Sequence, residues 1–305
     1  MTMQLNKIYK MDAVEFLKQL PDKSVDLILT DPPYNLDFSK YDSLTDKTGR
    51  KFHHTENLNW DLKKNIDLKE VGKIIFKEFD RIVKDTGSVI IFAPQEWAYY
   101  YYEPAIENNF DLKCQLIWVK SNPIPQMRHK NYRSAHENIV WFARYNEKKV
   151  PFTFNFINQK EMKNVFEFPI LGGKERIRDK NNKAVHPTQK PLKLIKKLIE
   201  VHSNQTDLIV DCFMGSGTTA VASKQMGRNF VGCEINEEYI EVANKRLDST
   251  AHQITLASPT FPTEKAINKD LTATQQVATP KSASQTSLNP NIKLNSQALL
   301  QARQS

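Results

Sequence analysis

Apolar residues along the chain fall into short continuous runs, separated by stretches in which they recur at helical spacing. Leu5 to Tyr9 reads as a short strand, and Ala13 to Leu20 as a helix turning into Pro21. Val25-Asp26-Leu27-Ile28-Leu29-Thr30 is nearly all apolar, the pattern of a strand buried on both faces. Val71, Ile74, Ile75, Phe79 and Ile82 share one face of an amphipathic helix. Ser88 to Phe92, Leu116 to Val119 and Asn138 to Phe142 read as further buried strands. Pro191 stands at the first position of a helix, a place that suits its missing N–H. Leu192, Leu194, Ile195, Leu198 and Ile199 form that helix's apolar face. Leu208 to Asp211 is a strand, Thr219 to Met226 a helix, Asn229 to Glu234 a strand and Glu237 to Leu247 a helix. Strands alternating with helices predict an α/β fold.

Two regions lack this pattern. Residues 35–66 are polar and irregular, with Trp60 as an aromatic anchor, and Asp37 to Trp60 is expected to form a mobile loop. From Ser249 onward Ser, Thr, Gln, Asn and Ala dominate, and Phe261 is the only aromatic residue. Such a stretch buries too little apolar area to offset its ordering entropy, so 249–305 is expected to be a disordered tail with a short helix near Leu294 to Ala302.

The 305 residues are 40% hydrophobic and 26% charged, ordinary values for a soluble globular protein. No apolar run reaches membrane-spanning length and the N-terminus lacks a signal-peptide core, which predicts a cytoplasmic protein without membrane contact. Cys114, Cys212 and Cys233 are far apart and form no CxxC pair, so no metal site is expected and reduced buried thiols are. Between Lys120 and Lys183, 14 Lys and Arg face 6 Asp and Glu, which accounts for the whole formal excess of +8. Tyr132, Trp141, Tyr145, Phe152, Phe154 and Phe156 are interleaved with these charges, a mixture suited to phosphate neutralisation and stacking on nucleic acid.

Two turns carry candidate chemistry. Asp31-Pro32-Pro33-Tyr34 follows the most apolar strand, at the carboxyl edge where open α/β sheets bind ligands. An acceptor, two ring-locked prolines and an aromatic face suit a planar ring bearing an amine, although Asp and Pro also build ordinary turns. The second turn, Asp211-Cys212-Phe213-Met214-Gly215-Ser216-Gly217-Thr218-Thr219, joins a strand to a helix. Gly215 and Gly217 permit a tight turn and close ligand approach, and Glu234 ends the next strand, where a carboxylate reaches ribose hydroxyls. The turn lacks the third glycine of a dinucleotide fingerprint, the Gly-Lys-Ser/Thr of a phosphate loop and any Lys or Arg. A nucleoside with a compact zwitterionic tail fits it better than a pyrophosphate.

Together these pieces resemble the beta class of DNA amino-methyltransferases over roughly residues 5–248. The family's catalytic Asp/Ser/Asn-Pro-Pro-aromatic motif appears as Asp31, Pro32, Pro33 and Tyr34, and its cofactor loop as Asp211 to Thr218. His186-Pro187-Thr188-Gln189-Lys190-Pro191 is similar to the family's segment before that loop, and Glu234 matches its ribose ligand. Asp12 matches the acidic residue near the cofactor's adenine, although Met11 stands where Gly often precedes it. The order catalytic motif, basic segment, cofactor loop is the permutation that marks the beta class.

The resemblance implies a doubly wound, Rossmann-like methyltransferase sheet, mostly parallel with one antiparallel strand, and an inserted target-recognition region. Its parts would be a catalytic half at 1–120, the recognition insert at 121–185 and a cofactor-binding half at 186–248. It implies S-adenosylmethionine as cofactor, held by Asp12, Lys190, Asp211, Phe213, Gly215, Ser216, Gly217, Thr218 and Glu234. It implies a base flipped out of double-stranded DNA as substrate, with Arg128, Lys130, Arg133, Arg176 and Arg178 contacting the duplex. A cognate restriction endonuclease sharing the target site and a homodimer are the further partners that the family implies. Asp at the head of the motif points to adenine N6; Ser more often heads it in cytosine-N4 enzymes, and that alternative and an RNA adenine substrate stay open.

Overall fold

The computed structural model describes residues 3–34, 68–94, 98–126, 129–145, 150–173 and 175–250. The loop expected from Asp37 to Trp60 and, beyond Thr250, the expected tail lie outside these residues. The described strands are β1 (Lys7–Lys10), β2 (Val25–Thr30), β3 (Val83–Ala93), β4 (Phe110–Lys120), β5 (His136–Arg144), β6 (Val165–Phe168), β7 (Leu208–Asp211) and β8 (Asn229–Glu234). They form one sheet in the order β1-β8-β7-β2-β3-β5-β4-β6. Only β5 runs against its neighbours, pairing antiparallel with both β3 and β4; the other described pairings are parallel. The expected sheet, mostly parallel with one reversed strand, is the one observed.

Helices cover both faces. α1 (Ala13–Lys18), α2 (Leu68–Ile82) and α3 (Tyr102–Glu107) lie over one, and α4 (Leu192–His202), α5 (Thr218–Gln225) and α6 (Glu237–Asp248) over the other. On the first face Phe76 of α2 meets Phe79, Phe110 and Phe142 edge-on at 5.4–5.9 Å between ring centroids. Each fully buried Phe removes enough apolar surface to contribute roughly 1.5–3 kcal/mol. On the second face Leu194, Ile195, Leu198 and Ile199 of α4 pack on Leu27, Leu29, Ile90, Phe92, Ile139 and Trp141. β2 feeds both cores, Val25 and Ile28 to the first and Leu27 and Leu29 to the second, which explains its continuous apolar run.

β2 and β7 are neighbours, so Asp31 and Asp211 end adjacent strands at the same sheet edge. The chain leaves β2 toward β3 and leaves β7 toward β8 on the other side, and this reversal opens a crevice between them. Two sequence expectations need correction. Pro191 caps α4 with an extended ψ of 130° and is not its first helical residue. β3 and β4 are each 11 residues long and begin well before the apolar runs, with Lys84–Thr86 and Asp111–Gln115 partly or fully exposed. β6 and α3 were not expected; each is short and only partly buried. Among the described residues no helix is long and apolar enough to cross a membrane.

Candidate active site

The crevice is a cavity of about 230 Å³ lined by Asp12, Asp31 to Tyr34, His186, Lys190, Asp211 to Ser216, Thr218 and Glu234, among others. All four residues of the catalytic motif and eight of the nine proposed cofactor residues line it; Gly217 is the one that does not.

On the cofactor side the backbone does the shaping. Gly215 and Gly217 have φ of 52° and 80°, a region costly for residues with a Cβ. Space forbids a Cβ as well: at Gly217 it would lie 2.6 Å from Ala243 Cβ, and at Gly215 2.8 Å from His186 Nε2. Glu234 Oε2 accepts the Gly215 N–H at 2.8 Å, and its Oε1 accepts those of Ile235 and Asn236 at 2.9 and 2.8 Å. A carboxylate offers about four acceptor sites, so capacity remains for a ligand hydroxyl. Burial raises the Glu234 pKa, and these backbone bonds oppose the rise. Arg246 closes the loop from α6, donating to the Ser216 carbonyl at 2.5 Å and to Thr218 Oγ1 at 3.1 Å. Asp12 caps α1 through Oδ1, which accepts from Val14 at 2.9 Å and Glu15 at 3.4 Å.

Asp211 joins the two halves. Its Oδ1 accepts the Thr30 hydroxyl at 2.8 Å and the Phe213 N–H at 3.0 Å. Burial pushes its pKa up to about 6. Cys212 beside it is buried and its thiol pKa is raised by that burial, so it is no thiolate nucleophile at neutral pH.

On the catalytic side, charged side chains do the shaping. Tyr34 donates its hydroxyl to Asp31 Oδ1 at 2.6 Å, and Lys190 donates its ammonium to Asp31 Oδ2. Lys190 Nζ also lies 3.5 Å from Glu137 Oε2, 5.4 Å from the Tyr34 ring centroid and 5.1 Å from that of Phe92. Burial alone would lower the Lys190 pKa, but Asp31 and Glu137 more than offset it and hold the ammonium above its ordinary range. Burial raises the Asp31 pKa, and Lys190 opposes the rise. Lys190, expected at the cofactor, is thus bonded to Asp31.

The expected DNA contacts divide. Lys130 is exposed. Arg133 donates to the Pro123 carbonyl, Arg178 to that of Asn182 at 2.8 Å and the half-buried Arg176 to that of Pro187 at 2.7 Å. Each of these guanidiniums anchors a backbone turn with some of its five donors. Arg128 lies outside the described residues. Thr30, Glu137, Lys120 and Arg246 escaped the sequence reading. For Glu137 a signal existed: one charge sits two residues before the apolar run that starts at Ile139, which places it on the same face as Ile139 and Trp141.

Comparison with known proteins agrees with this geometry. A family model for N6 and N4 methyltransferases, described as DNA methylase, matches residues 25–245. The Type II methyltransferase M.HinfI of Haemophilus influenzae is 35% identical over 250 residues, covering 80% of this chain and 68% of that protein. The Type II methyltransferase M1.MboII of Moraxella bovis is 30% identical over 269 residues, covering 79% and 96%. Among solved structures, the M1.HpyAVI–SAM complex matches with a TM-score of 0.59 and 31% identity, over 79% of this chain and 98% of that one. The cytosine-N4-specific PvuII DNA methyltransferase reaches the same TM-score at 18% identity, over 88% and 92%, a likeness of fold. With the reversed strand, the crevice at the β2–β7 junction and both motifs in place, the chain belongs to the N6/N4 DNA methylase family, the DNA amino-methyltransferases of restriction-modification type.

Proposed function

We propose that the chain methylates adenine N6 in duplex DNA at a specific site. The observation that carries this reading is Asp31 at the head of the turn, a half-buried carboxylate opening into the crevice with Tyr34 beside it. The cofactor is S-adenosylmethionine, and the residues present suit it. The glycine turn admits close approach, Asp12 and Glu234 offer carboxylate acceptors to a nucleoside, and no cation within the turn calls for a pyrophosphate. Asp12, Asp211, Phe213, Gly215, Ser216, Gly217, Thr218 and Glu234 would hold it. When bound, it supplies an electrophilic methyl group carried on a sulfonium.

The protein's own work is on the amine. A target base leaves the duplex at a cost of a few kcal/mol. It enters beside Tyr34, whose ring stacks on it for roughly 1–3 kcal/mol. The exocyclic amine takes the place of the Tyr34 hydroxyl at Asp31 Oδ1. Asp31 and the Pro32 carbonyl accept its two N–H bonds, which draws the nitrogen toward tetrahedral geometry and localises its lone pair. Burial of Asp31 makes its carboxylate a better acceptor for the proton that the amine gives up. Most of the rate comes from this positioning and from fixed charge. The insert at 121–185, with Lys130 exposed and Arg133, Arg176 and Arg178 on its turns, supplies the duplex contacts. An endonuclease with the same target site and a second copy of the chain are the partners that the family resemblance implies.

Labelled methyl incorporation tests the substrate. Transfer into duplex DNA and none into RNA of the same sequence is expected; preferential labelling of RNA would overturn the reading.

A further inference from the structure

The end of β2 and the ends of β3, β5 and β4 lie side by side in that order, and one sheet face carries a row of side chains across them. Asp31 follows Leu29, Glu137 precedes Ile139 and Lys120 follows Trp118, each by two residues, so all three share the face of the second core. Asp31 and Glu137 are separated by β3, and Lys190 spans the gap above Phe92. The row therefore alternates in charge: Lys120 to Glu137 Oε1 at 2.9 Å, Glu137 Oε2 to Lys190 at 3.5 Å, and Lys190 to Asp31. These side chains are between 7% and 21% exposed, so their charges are weakly screened. Glu137 Oε2 is buried, with the Lys190 ammonium facing it at 3.5 Å. Lys190 and Lys120 offset the burial of Glu137 and lower its pKa, and a buried carboxylate kept for such a pairing beside the Asp31 turn calls for a role.

We propose that Glu137 is a positioning residue for methyl transfer, acting through Lys190 to fix the charge and direction of the Asp31 carboxylate. The proposal rests on the methyltransferase reading of the same site. Without Glu137, Lys190 would have a single anionic partner, and a buried lysine so placed sheds its proton more readily. A neutral Lys190 no longer ion-pairs with Asp31, so the carboxylate loses the contact that fixes its direction toward the amine. The groups facing Lys190 are Asp31 and Tyr34 beyond β2, Glu137 on β5 and Lys120 on β4 behind it. His186 on its own segment is kept neutral by burial, with a pKa of about 3. Asp211 also feels the charge of Asp31, and Tyr101 interacts with both Asp31 and Tyr34.

The test compares Glu137→Gln and Glu137→Asp with the native chain by single-turnover methyl transfer across pH, at saturating cofactor and DNA. Glu137→Gln should slow the step by about 10–100-fold and move the alkaline limb of the rate profile down by roughly 1–3 pH units, and Glu137→Asp should recover part of both. An unmoved limb, whether the rate is native or falls equally in both variants, overturns the proposal. A second readout needs no catalysis: the ¹⁵N signal of Lys190 Nζ should stay that of an ammonium beyond the ordinary lysine range in the native protein and titrate lower in Glu137→Gln. Identical titration in the two overturns the proposal even if methyl transfer is robust. Failure of the native chain to methylate DNA would instead count against the proposed function, leaving the ¹⁵N comparison to decide on Glu137.

Discussion

The two halves of the crevice are built by different means. The half after β7 is shaped by backbone: left-handed glycines, and a Glu234 that accepts three main-chain N–H groups. The half after β2 is shaped by side-chain charge, with Asp31, Lys190, Glu137 and Lys120 drawn from four separate segments. A site for a fixed cofactor can be a rigid mould. Under the proposed function the half after β2 admits a flipped base and takes a proton, which needs groups that can exchange partners, the Tyr34–Asp31 bond among them. The backbone half should therefore respond to substitution through sterics, and the charged half through pH.

The largest expected effect is at the charged half. Asp31→Ala removes the amine's acceptor and strands Lys190, and should lower the methyl-transfer rate by at least about 10³-fold, measured in single turnover. Retained turnover would break the comparison. Next is the mould. Gly217→Val places a branched side chain at φ 80° with Ala243 in the way; cofactor affinity should fall by more than tenfold in calorimetry, with thermal stability reduced by about 1–3 kcal/mol. Native affinity in that variant would show that the turn is softer than its geometry implies.

Asp211, shared by both halves, gives a pH effect of intermediate size. Its native pKa is raised to about 6 by burial, whereas the unfolded chain ionises near the usual carboxylate value. Between about pH 4 and pH 6 the unfolded state therefore binds fewer protons, and stability present at acid pH is lost as the pH rises, by on the order of 3 kcal/mol. Asn keeps an acceptor for Thr30 and Phe213. Urea unfolding should accordingly show a smaller loss of stability across this window in Asp211→Asn than in the native chain. The smallest effect separates the two roles of Tyr34: Tyr34→Ala should cost roughly 1–3 kcal/mol in kcat/KM, and Tyr34→Phe, which keeps the ring, should cost well under 1 kcal/mol. Equal losses would make the hydroxyl, not the stacking face, the functional part.

This difference in construction also explains what could be read in the sequence. Gly215, Gly217 and Glu234 were legible because a backbone mould needs fixed residue types at fixed short spacing. Asp31 and Tyr34 were legible for the same reason, two prolines holding them rigidly after a buried strand. Glu137 and Lys120 were not, because their meaning depends on β5 lying between β3 and β4, a pairing set over many residues. Lys190 was found, but its partner was not: only the fold brings it to Asp31, 159 residues away in sequence. β6 was missed because Val165–Phe168 is only four residues long, with half its side chains in solvent. The sheet itself was largely legible, since Val25–Thr30 and Leu208–Asp211 are buried on both faces and so have no polar alternation.

The central claim is that the Asp31 turn prepares an adenine amine for methylation. It is tested most directly by digesting duplex DNA, treated with the protein and labelled S-adenosylmethionine, to nucleosides and identifying the labelled product by mass spectrometry. The account predicts label in N6-methyldeoxyadenosine, lost with Asp31→Ala; label in N4-methyldeoxycytidine would contradict it.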